Sequence, residues 1–402
     1  MAEPRRKSTR LPARLREERG FALAMAIFAL VLLAAVVAGG YYSASQEFQI
    51  GRGMRSLTAS FYAGEAGIRE VLNDWDPDVY FALEPGDTLT LSRVILEGGS
   101  SYDARVVRVG RAADSLKRYF YIEAVGRPRG PRLGARRQAM VVRSRYPKIC
   151  CQTAVYVGGE DMEFTGGKQE ILSGLNTNPT GGDGPWPDSV CAGISTANTV
   201  GAIIDSGVFI NDTTRVLGDP TRYTVDSSLD ENVFPPTIGD LSYPEIVAAA
   251  DFTLAPPDTL STMTVTGGDL TPQVVNGKCD RSHPWNWGEP TQPNHPCFKY
   301  FPIIHFNGNL ILESGSAQGI LVVEGWLELS NSTFYGIVLV RDDIVMRGPS
   351  KFFGTGWAMD DVRYAGAVPR YYLSRCAAER AVRLSSLTRP TPVWPRAWVE
   401  LF

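Results

Sequence analysis

The stretch from Phe21 to Tyr42, FALAMAIFALVLLAAVVAGGYY, carries no charged side chain and constrains this chain more than any other feature. About 20 apolar residues are enough to cross a hydrocarbon core of about 30 Å as a helix. The 20 residues before it contain seven basic and three acidic side chains, and positive charge of this kind stays on the cytoplasmic side. We therefore expect a single-pass protein of the inner (cytoplasmic) membrane with an extracytoplasmic body.

The junction between the basic leader and the apolar stretch, Arg19-Gly20-Phe21, resembles the leader of type IV prepilins. This resemblance implies that a dedicated prepilin peptidase cuts between Gly20 and Phe21 and leaves the apolar helix intact. A secretory signal peptide has a shorter apolar core of about 7–15 residues, followed by a small-x-small cleavage site. Residues 36–38 match such a site weakly, so removal of the stretch is the alternative.

Two further features refine the resemblance. Met25 occupies the fifth position after the expected cut, where major pilins have a glutamate. Residues 60–70, SFYAGEAGIRE, are similar to the A-x-x-A-E-A-G-L-R-E signature of PilX-type minor pilins, and the resemblance covers residues 15–75. It implies a non-enzymatic minor pilin or pseudopilin-like subunit of a type IV pilus or a type II secretion pseudopilus. Its partners would be other pilin subunits, bound through the N-terminal helix in the membrane or in the pilus.

Residues 43–75 continue the apolar stretch as an amphipathic helix. Apolar side chains recur every three or four residues, which places them on one helix face: Phe48, Ile50, Met54, Leu57, Phe61, Ile68, Val71, Leu72 and Trp75. Gly51 and Gly53 each cost about 1 kcal/mol relative to alanine, so we expect a local softening there. Glu65 and Arg69 have the spacing of an i,i+4 ion pair; a specific assembly contact through Glu65 is the alternative.

Beyond residue 75 the composition indicates an exported, mostly β body. The chain is 44% apolar, with 40 glycines and 27 prolines, and few later segments have the length of helices. The net charge of −3 becomes more negative without the basic leader, which argues against nucleic acid as a partner. Alternating stretches between residues 76 and 146 predict an antiparallel sheet, with Arg105, Arg108 and Arg143 on a solvated face.

A 17-residue repeat is the main pattern of the second half. The segments GILVVEGWLEL, from Gly319, and GIVLVRDDIVM, from Gly336, align, and Phe306, Val323 and Val340 are spaced by 17. Apolar pairs at a fixed period indicate a solenoid whose coils stack strand on strand. The sequence thus predicts an α+β chain, mostly β, with a long N-terminal helix, a small antiparallel sheet and a parallel β-helix-like solenoid.

These patterns divide the chain into five expected parts. They are a prepilin-type leader at 1–20, a transmembrane and amphipathic pilin-like helix at 21–75, an antiparallel β region at 76–146, a β-helix-like domain with disulfide-bearing insertions at 147–370, and a C-terminal tail with a short helix at 371–402.

Six cysteines follow the apolar stretch, and export favours their oxidation to disulfides: Cys150, Cys151, Cys191, Cys279, Cys297 and Cys376. Cys279 and Cys297 flank a loop with little hydrophobic periodicity, so we pair these two first. Adjacent cysteines cannot easily bond each other, so we expect Cys150 and Cys151 to reach Cys191 and Cys376. A zinc site of Cys279, His283, His295 and Cys297 is the alternative, although the spacing fits no common zinc module.

Two pairs of aspartates raise the question of catalysis. Asp342-Asp343 and Asp360-Asp361 are 18 residues apart, which could stack them on adjacent coils as a cation site or an acid/base pair. Aspartate also simply favours the corners between strands. Because the sequence contains no G-x-S-x-G, H-E-x-x-H or phosphate-binding glycine loop, we expect no catalytic residue, metal or cofactor. A membrane-anchored or secreted β-helix protein that binds or cleaves polysaccharide is the alternative function.

The Arg19-Gly20-Phe21 junction predicts that the mature chain begins at Phe21. Gly20→Arg should leave an uncleaved precursor in the membrane, because a long charged side chain then stands at the cut, whereas Gly20→Ala should be processed in part. N-terminal sequencing of the purified protein checks both variants. A mature chain that begins near Gly39 would establish cleavage by signal peptidase and would contradict the prepilin-type leader.

Overall fold

The computed structural model describes residues 14–401 except 112–115, 131–133, 149–150, 168, 230–239, 258–261, 367 and 395–397. Helix α1, Arg14–Asn73, begins the described chain and continues through Gly51 and Gly53 without interruption. A single helical turn, α2 (Pro77–Tyr80), follows it. Asp76 caps this turn, since its side chain accepts a hydrogen bond from the backbone N–H of Asp78 at 3.0 Å.

The antiparallel sheet predicted for residues 76–146 is present. Its first strands are β1 (Thr88–Thr90), β2 (Val94–Ile95), β3 (Ser101–Arg111), β4 (Lys117–Arg127) and β5 (Arg136–Arg145). The strands β3, β4 and β5 form its centre. Alternate residues point to the same face of a strand, and on one face Val106, Phe120 and Ile122 are fully buried against Ile68 of α1 and Trp75, which follows the helix. The sheet therefore folds against the second half of α1.

One arginine predicted on the solvated face of this sheet is buried. Arg108 is only 5% exposed, and its guanidinium donates to the carbonyl of Leu83. The segment between α2 and β1 runs over this end of the sheet, as the backbone bonds from Gly86 N–H to the Arg108 carbonyl and from Arg108 N–H to the Asp87 carbonyl show. The strand's own alternation could not reveal this covering segment.

The remaining chain is mostly parallel strands, and we call the part from β6 to β25 the parallel body. Its first strands are β6 (Thr153–Val157), β7 (Asp161–Phe164), β8 (Ile171–Ser173), β9 (Val200–Ile204), β10 (Phe209–Ile210), β11 (Val216–Leu217) and β12 (Tyr223–Val225). Single 3-10 turns lie at Asp188–Cys191 and Thr213–Arg215. Helix α3 (Tyr243–Ala248) follows, with Ser242 and Glu245 forming its capping box.

The later strands alternate between two sheets. They are β13 (Phe252–Leu254), β14 (Thr262–Thr266), β15 (Val274–Val275), β16 (Lys278–Cys279), β17 (Ile303–Phe306), β18 (Asn309–Glu313), β19 (Ser316–Val323), β20 (Leu327–Ser330), β21 (Thr333–Val340), β22 (Ile344–Arg347), β23 (Lys351–Ala358), β24 (Val362–Ala365) and β25 (Arg370–Leu373). One sheet has the order β10-β7-β24-β22-β20-β18-β14, and the other contains β8-β25-β23-β21-β19-β17-β13, with β6 beside β23 and β9 beside β6. β15 and β16 form a separate antiparallel hairpin.

The 17-residue spacing is the register of the parallel pairing. Leu312 pairs with Leu329, and Leu329 with Met346; in the other sheet Gly319 pairs with Gly336. The next step is 18 residues, because Gly336 pairs with Gly354. Each inward apolar side chain therefore stacks on its equivalent in the next coil and is almost fully buried.

The first coil of the parallel body does not lie at its end. β6 pairs with β23, β7 with β24 and β8 with β25. The strands from residues 153–173 are thus stacked on those from residues 356–373, and the later strands β9 to β12 extend the sheets outward from there. The order of coils in space consequently differs from their order in sequence.

The C-terminal segment connects both sheet systems. Helix α4 (Arg375–Arg383) contacts β19, β21 and β23, and its Ala381 comes close to Gly336, where an added Cβ would lie 3.1 Å away. A 3-10 turn at Ser386–Thr388 follows, and β26 (Thr391–Pro392) and β27 (Trp398–Leu401) then pair with β5 of the antiparallel sheet. Ion pairs also hold α2 in place: Asp76, its cap, pairs with Lys299 of the parallel body (3.2 Å), and Asp78 pairs with Arg383 of α4 (3.1 Å).

Leu329→Asp should unfold the parallel body, because Leu329 is 1% exposed between Leu312 and Met346. A carboxylate at that position cannot recover its hydration, and we expect a loss of more than about 4 kcal/mol. Ser330→Asp is the matched control, since Ser330 points to the opposite face beside Arg347; it should cost less than about 1 kcal/mol. Thermal unfolding of the full chain in detergent checks both, and equal melting of the two variants would contradict the assigned faces.

Candidate functional sites

The first half of α1 projects away from the rest of the chain. The side chains from Phe21 to Tyr42 are all exposed, and a Cβ added at Gly39 or Gly51 would meet no atom within 4 Å. Among the described residues, α1 is the one helix that is long enough and apolar enough to cross a membrane. A continuous exposed apolar surface of this size requires lipid or other helices to cover it, so residues 21–42 are the candidate membrane anchor.

The expected processing site lies at the beginning of this anchor. The Gly20–Phe21 bond is inside α1, and both Phe21 and Met25 are exposed. Cleavage between Gly20 and Phe21 stays a prediction.

The segment similar to the PilX-type signature is where α1 packs onto the antiparallel sheet. A Cβ added at Gly126 of β4 would collide with the Ser60 carbonyl oxygen, and one added at Gly67 would lie 2.7 Å from the Tyr102 ring. Glycine permits such close backbone approach because it has no side chain. The small residues of this segment thus have a clear role within the chain itself.

Glu65 forms the local ion pair predicted from its spacing. Its carboxylate lies 2.5 Å from the Arg69 guanidinium, whose side chain is mostly exposed. Pairs of this kind contribute a few tenths of a kcal/mol. The interpretation of Glu65 as an i,i+4 partner is confirmed.

The structure contains two disulfides among the described residues. Cys279 is joined to Cys297, the pair placed first from the sequence, with 4.9 Å between their Cα atoms. Cys191 is joined to Cys376 across 185 residues of sequence, with 5.4 Å between Cα atoms. The expectation that Cys191 and Cys376 bind the adjacent cysteines is therefore wrong, because the fold brings the 3-10 turn at Asp188–Cys191 against α4. Cys151 is buried, and Cys150 lies outside the described residues.

The alternative zinc site loses two of its four ligands to the Cys279–Cys297 disulfide. The Cys279 and Cys297 sulfurs are bonded to each other, and the Nδ1 of His295 accepts a hydrogen bond from the Cys297 N–H at 3.1 Å. The loop instead packs around Asn286, which is buried and donates to the Asp280 carbonyl at 2.7 Å. The disulfide and the hydrogen bonds of Asn286 thus hold the loop in place.

The two aspartate pairs do meet on adjacent coils. Asp342, Asp343 and Asp360 each place one carboxylate oxygen within 4.8 Å of the others. Burial and the neighbouring carboxylates raise the pKa of Asp360 to about 6, and burial raises the pKa of Asp343 as well. We call these three residues the acidic corner.

Asp361 lies beside the acidic corner but is already fully engaged. It is 6% exposed, and its Oδ1 accepts hydrogen bonds from the backbone N–H groups of Glu160 (3.1 Å) and Asp161 (2.8 Å). Arg363 lies 2.8 Å from Asp361 and 3.0 Å from Asp343. The corner thus has the oxygen ligands that a hard cation prefers, while Arg363 already neutralises part of its charge.

A further charged cluster was not recognised from the sequence. Glu324 accepts hydrogen bonds from the Tyr243 hydroxyl of α3 and pairs with His305 (2.8 Å) and with Arg341 (3.0 Å). Burial acts to raise the pKa of Glu324, but the hydrogen bonds from Tyr243 and His305 outweigh it and lower this pKa. His305 lies in β17 and is partly buried. The cluster fastens α3 to the corner between β19 and β20.

A cavity of about 510 Å³ lies between the end of α1, the β15–β16 hairpin and the C-terminal segment. Its cationic side chains are largely neutralised within the chain, since Lys278 pairs with Asp74, Lys299 with Asp76 and Arg389 with Asp251. The cavity therefore offers no concentrated charge to a ligand.

Comparison with known proteins gives little. No family model matches the sequence, and no curated protein matches it. Among solved structures, the chain is similar to the competence-associated pilin ComZ from Thermus thermophilus, with 14% identity over 86% of this chain and 97% of that chain and a TM-score of 0.24. A superposition of such low score supports no conclusion about this chain.

Asp360→Asn should stabilise the protein at neutral pH. The folded state raises the pKa of Asp360 from its ordinary value of 3.8 to about 6, so it keeps a proton that the unfolded chain releases, and the stability from this group is lost as pH rises through 6. After discounting for solvent screening, we expect a gain of about 1 kcal/mol at pH 7.5 and little change below pH 4. Thermal unfolding of both chains across this pH range checks it; a difference independent of pH would contradict the repulsion.

Proposed function

We propose that this chain is a non-enzymatic minor pilin or pseudopilin-like subunit. Its first helix inserts in the inner membrane and packs among the helices of other pilin subunits in a type IV pilus or type II secretion pseudopilus. The rest of the chain is displayed outside as a β-helix, with the antiparallel sheet between the helix and the coils.

The exposed half of α1 carries this proposal. It is continuous with a second half that packs on a sheet through Ile68 and Val71, so any surface that binds residues 21–42 also fixes the position of the body. Within a bilayer, helices associate through small residues that permit close contact. Ala34, Ala35 and Ala38 lie together on one side of α1 and are exposed.

Met25 argues for a low-copy subunit. In major pilins the glutamate at this position neutralises the free amine of a neighbouring subunit, and Met25 has no charge with which to do so. A filament made only of such chains would leave every free N-terminal amine without a carboxylate partner in apolar surroundings, which is costly. We therefore assign the chain to a tip or priming position, where other subunits supply the carboxylate.

The β-helix form of the body is supported by the parallel pairing at offsets of 17 and 18 residues. An enzyme or lectin acting on polysaccharide would use the acidic corner, the one feature that favours this alternative. Against it, Asp343 is paired with Arg363, and the three carboxylates have no nucleophile or histidine grouped with them among the described residues.

Deletion of the gene should remove pili, or the secretion that depends on a pseudopilus, while the major subunit is still made. Complementation with Ala38→Phe should restore assembly several-fold less well than the parent, because a large ring on the small-residue side prevents close helix packing. Val36→Phe is the matched control, since residue 36 lies on the opposite side of the same helix. Electron microscopy of pili and immunoblots of the membrane fraction measure the outcome.

Two results would contradict the proposal. Abundant filaments made of this chain alone would exclude a minor subunit. Unchanged piliation and secretion in the deletion strain would favour an anchored envelope protein instead, and loss of polysaccharide binding in Asp342→Asn would then point to the acidic corner.

A further inference from the structure

The parallel body ends in a strand whose outer side is unpaired. β14, Thr262–Thr266, is the last strand of its seven-stranded sheet and pairs on one side with β18. On the other side it pairs with no strand of the described part of the chain. Its sequence, TMTVT, has high β-propensity and contains none of the lysines, prolines or inward charges that normally protect such an edge.

The backbone hydrogen bonds show which groups of β14 face outward. Gly267 N–H donates to the Glu313 carbonyl of β18 at 3.2 Å, so residue 267 faces the sheet. Thr266 faces the other way, since its N–H donates to the Asp269 carboxylate at 2.8 Å and its carbonyl accepts from Asp269 N–H. Residues of a parallel ladder alternate between the two sides, so Thr262 and Thr264 also present their N–H and C=O groups outward.

The outward groups of Thr262 and Thr264 have no partner among the described residues, whereas those of Thr266 are already used by the turn that follows. Among the described residues of β14, Thr262 and Thr264 therefore remain available for pairing with a new strand. An antiparallel partner that satisfies both must place its own two outward residues opposite them.

We propose that β14 pairs with β14 of a second copy of this chain, antiparallel and about a two-fold axis at Met263. In this register Thr262 of each copy lies opposite Thr264 of the other, and the two pairs exchange four backbone hydrogen bonds. Other two-fold registers use fewer of these groups. An axis at Thr264, for example, places Thr262 opposite Thr266, whose N–H is already bonded to Asp269. Only the axis at Met263 satisfies Thr262 and Thr264 in both copies.

The side chains fit the same register. Met263 is half-buried against the core of the parallel body, and the axis brings the two Met263 residues together as an apolar pair. Thr262 and Thr264 meet across the strands on the exposed face, where threonine pairs are favourable. The strand carries no charge, so two copies approach without repulsion, and each copy covers the other's exposed edge. Such an interface extends one sheet through both molecules.

The register makes a sharp prediction for cross-linking. Met263 and its symmetry mate form a non-hydrogen-bonded antiparallel pair, whose Cα atoms are about 4.5 Å apart, within the range that a disulfide spans. Residue 264 of one copy lies opposite residue 262 of the other, so the two copies of residue 264 are two positions apart along the strands and lie beyond that range. Met263→Cys in the full chain, oxidised in detergent, should give a covalent dimer on non-reducing gels at least about fivefold more abundant than Thr264→Cys or the parent.

A second variant separates edge pairing from collisions between anchored chains. Adding Thr264→Pro to Met263→Cys removes an outward N–H that β14 does not need for its own sheet, a position where an edge strand tolerates proline. The double variant should keep the parent's melting temperature and lose most of the dimer. Equal cross-linking at residues 263 and 264, no dimer with Met263→Cys, or a dimer unaffected by the proline would each overturn the proposal; a product with a different protein only would show that the edge binds another partner.

Discussion

In the parallel body no single layer of strands can bury its apolar side chains alone. Leu329 is shielded from water because Leu312 lies in register on one side of it and Met346 on the other, and the same holds for Ile337 between Ile320 and Thr355. A slip of one residue in any coil would turn these side chains outward. Stability is therefore a property of neighbouring layers of strands together. Glycines recur at equivalent positions, Gly319, Gly336 and Gly354, and keep the backbone in register where it bends. Each has a positive φ that favours glycine.

The stacking of strands in register also explains how distant parts of the chain come into contact. Because β6, β7 and β8 lie on β23, β24 and β25, the beginning and the end of the parallel body share one core. Cys191 and Cys376 can then meet across 185 residues, and α4 can cover the outer face of β21 and β23 before the chain returns to β5. The antiparallel sheet consequently contacts α1 on one face and pairs with the C-terminal strands β26 and β27 along β5.

Helix α1 has two environments, and the change between them has a physical cause. In its first half, the side chains of residues 21–42 are exposed, with none of the described part of the chain covering them. In its second half, Gly64, Gly67 and Gly126 allow the helix backbone and strand β4 to approach closely, and Ile68, Val71 and Trp75 fill the space next to it. The residues of the pilin-like signature thus serve the fold, while the anchor is left for lipid or for other subunits. This division is what the proposed role requires of a subunit that is both inserted and displayed.

Features that depend on local pattern could be predicted from the sequence. The uncharged run from Phe21 is read directly, and the alternation in β3 to β5, the Glu65–Arg69 pair and the register of β17 to β21 follow from spacings of two, four and 17 residues. Features that depend on which segments meet are visible only in the folded chain: β6 stacks on β23, Cys191 pairs with Cys376, Arg108 is covered, and Glu324 binds Tyr243 and His305. Periodicity fixes how a strand presents its side chains, but it contains no information on which distant segment lies against them, because that choice is made by packing of the whole core.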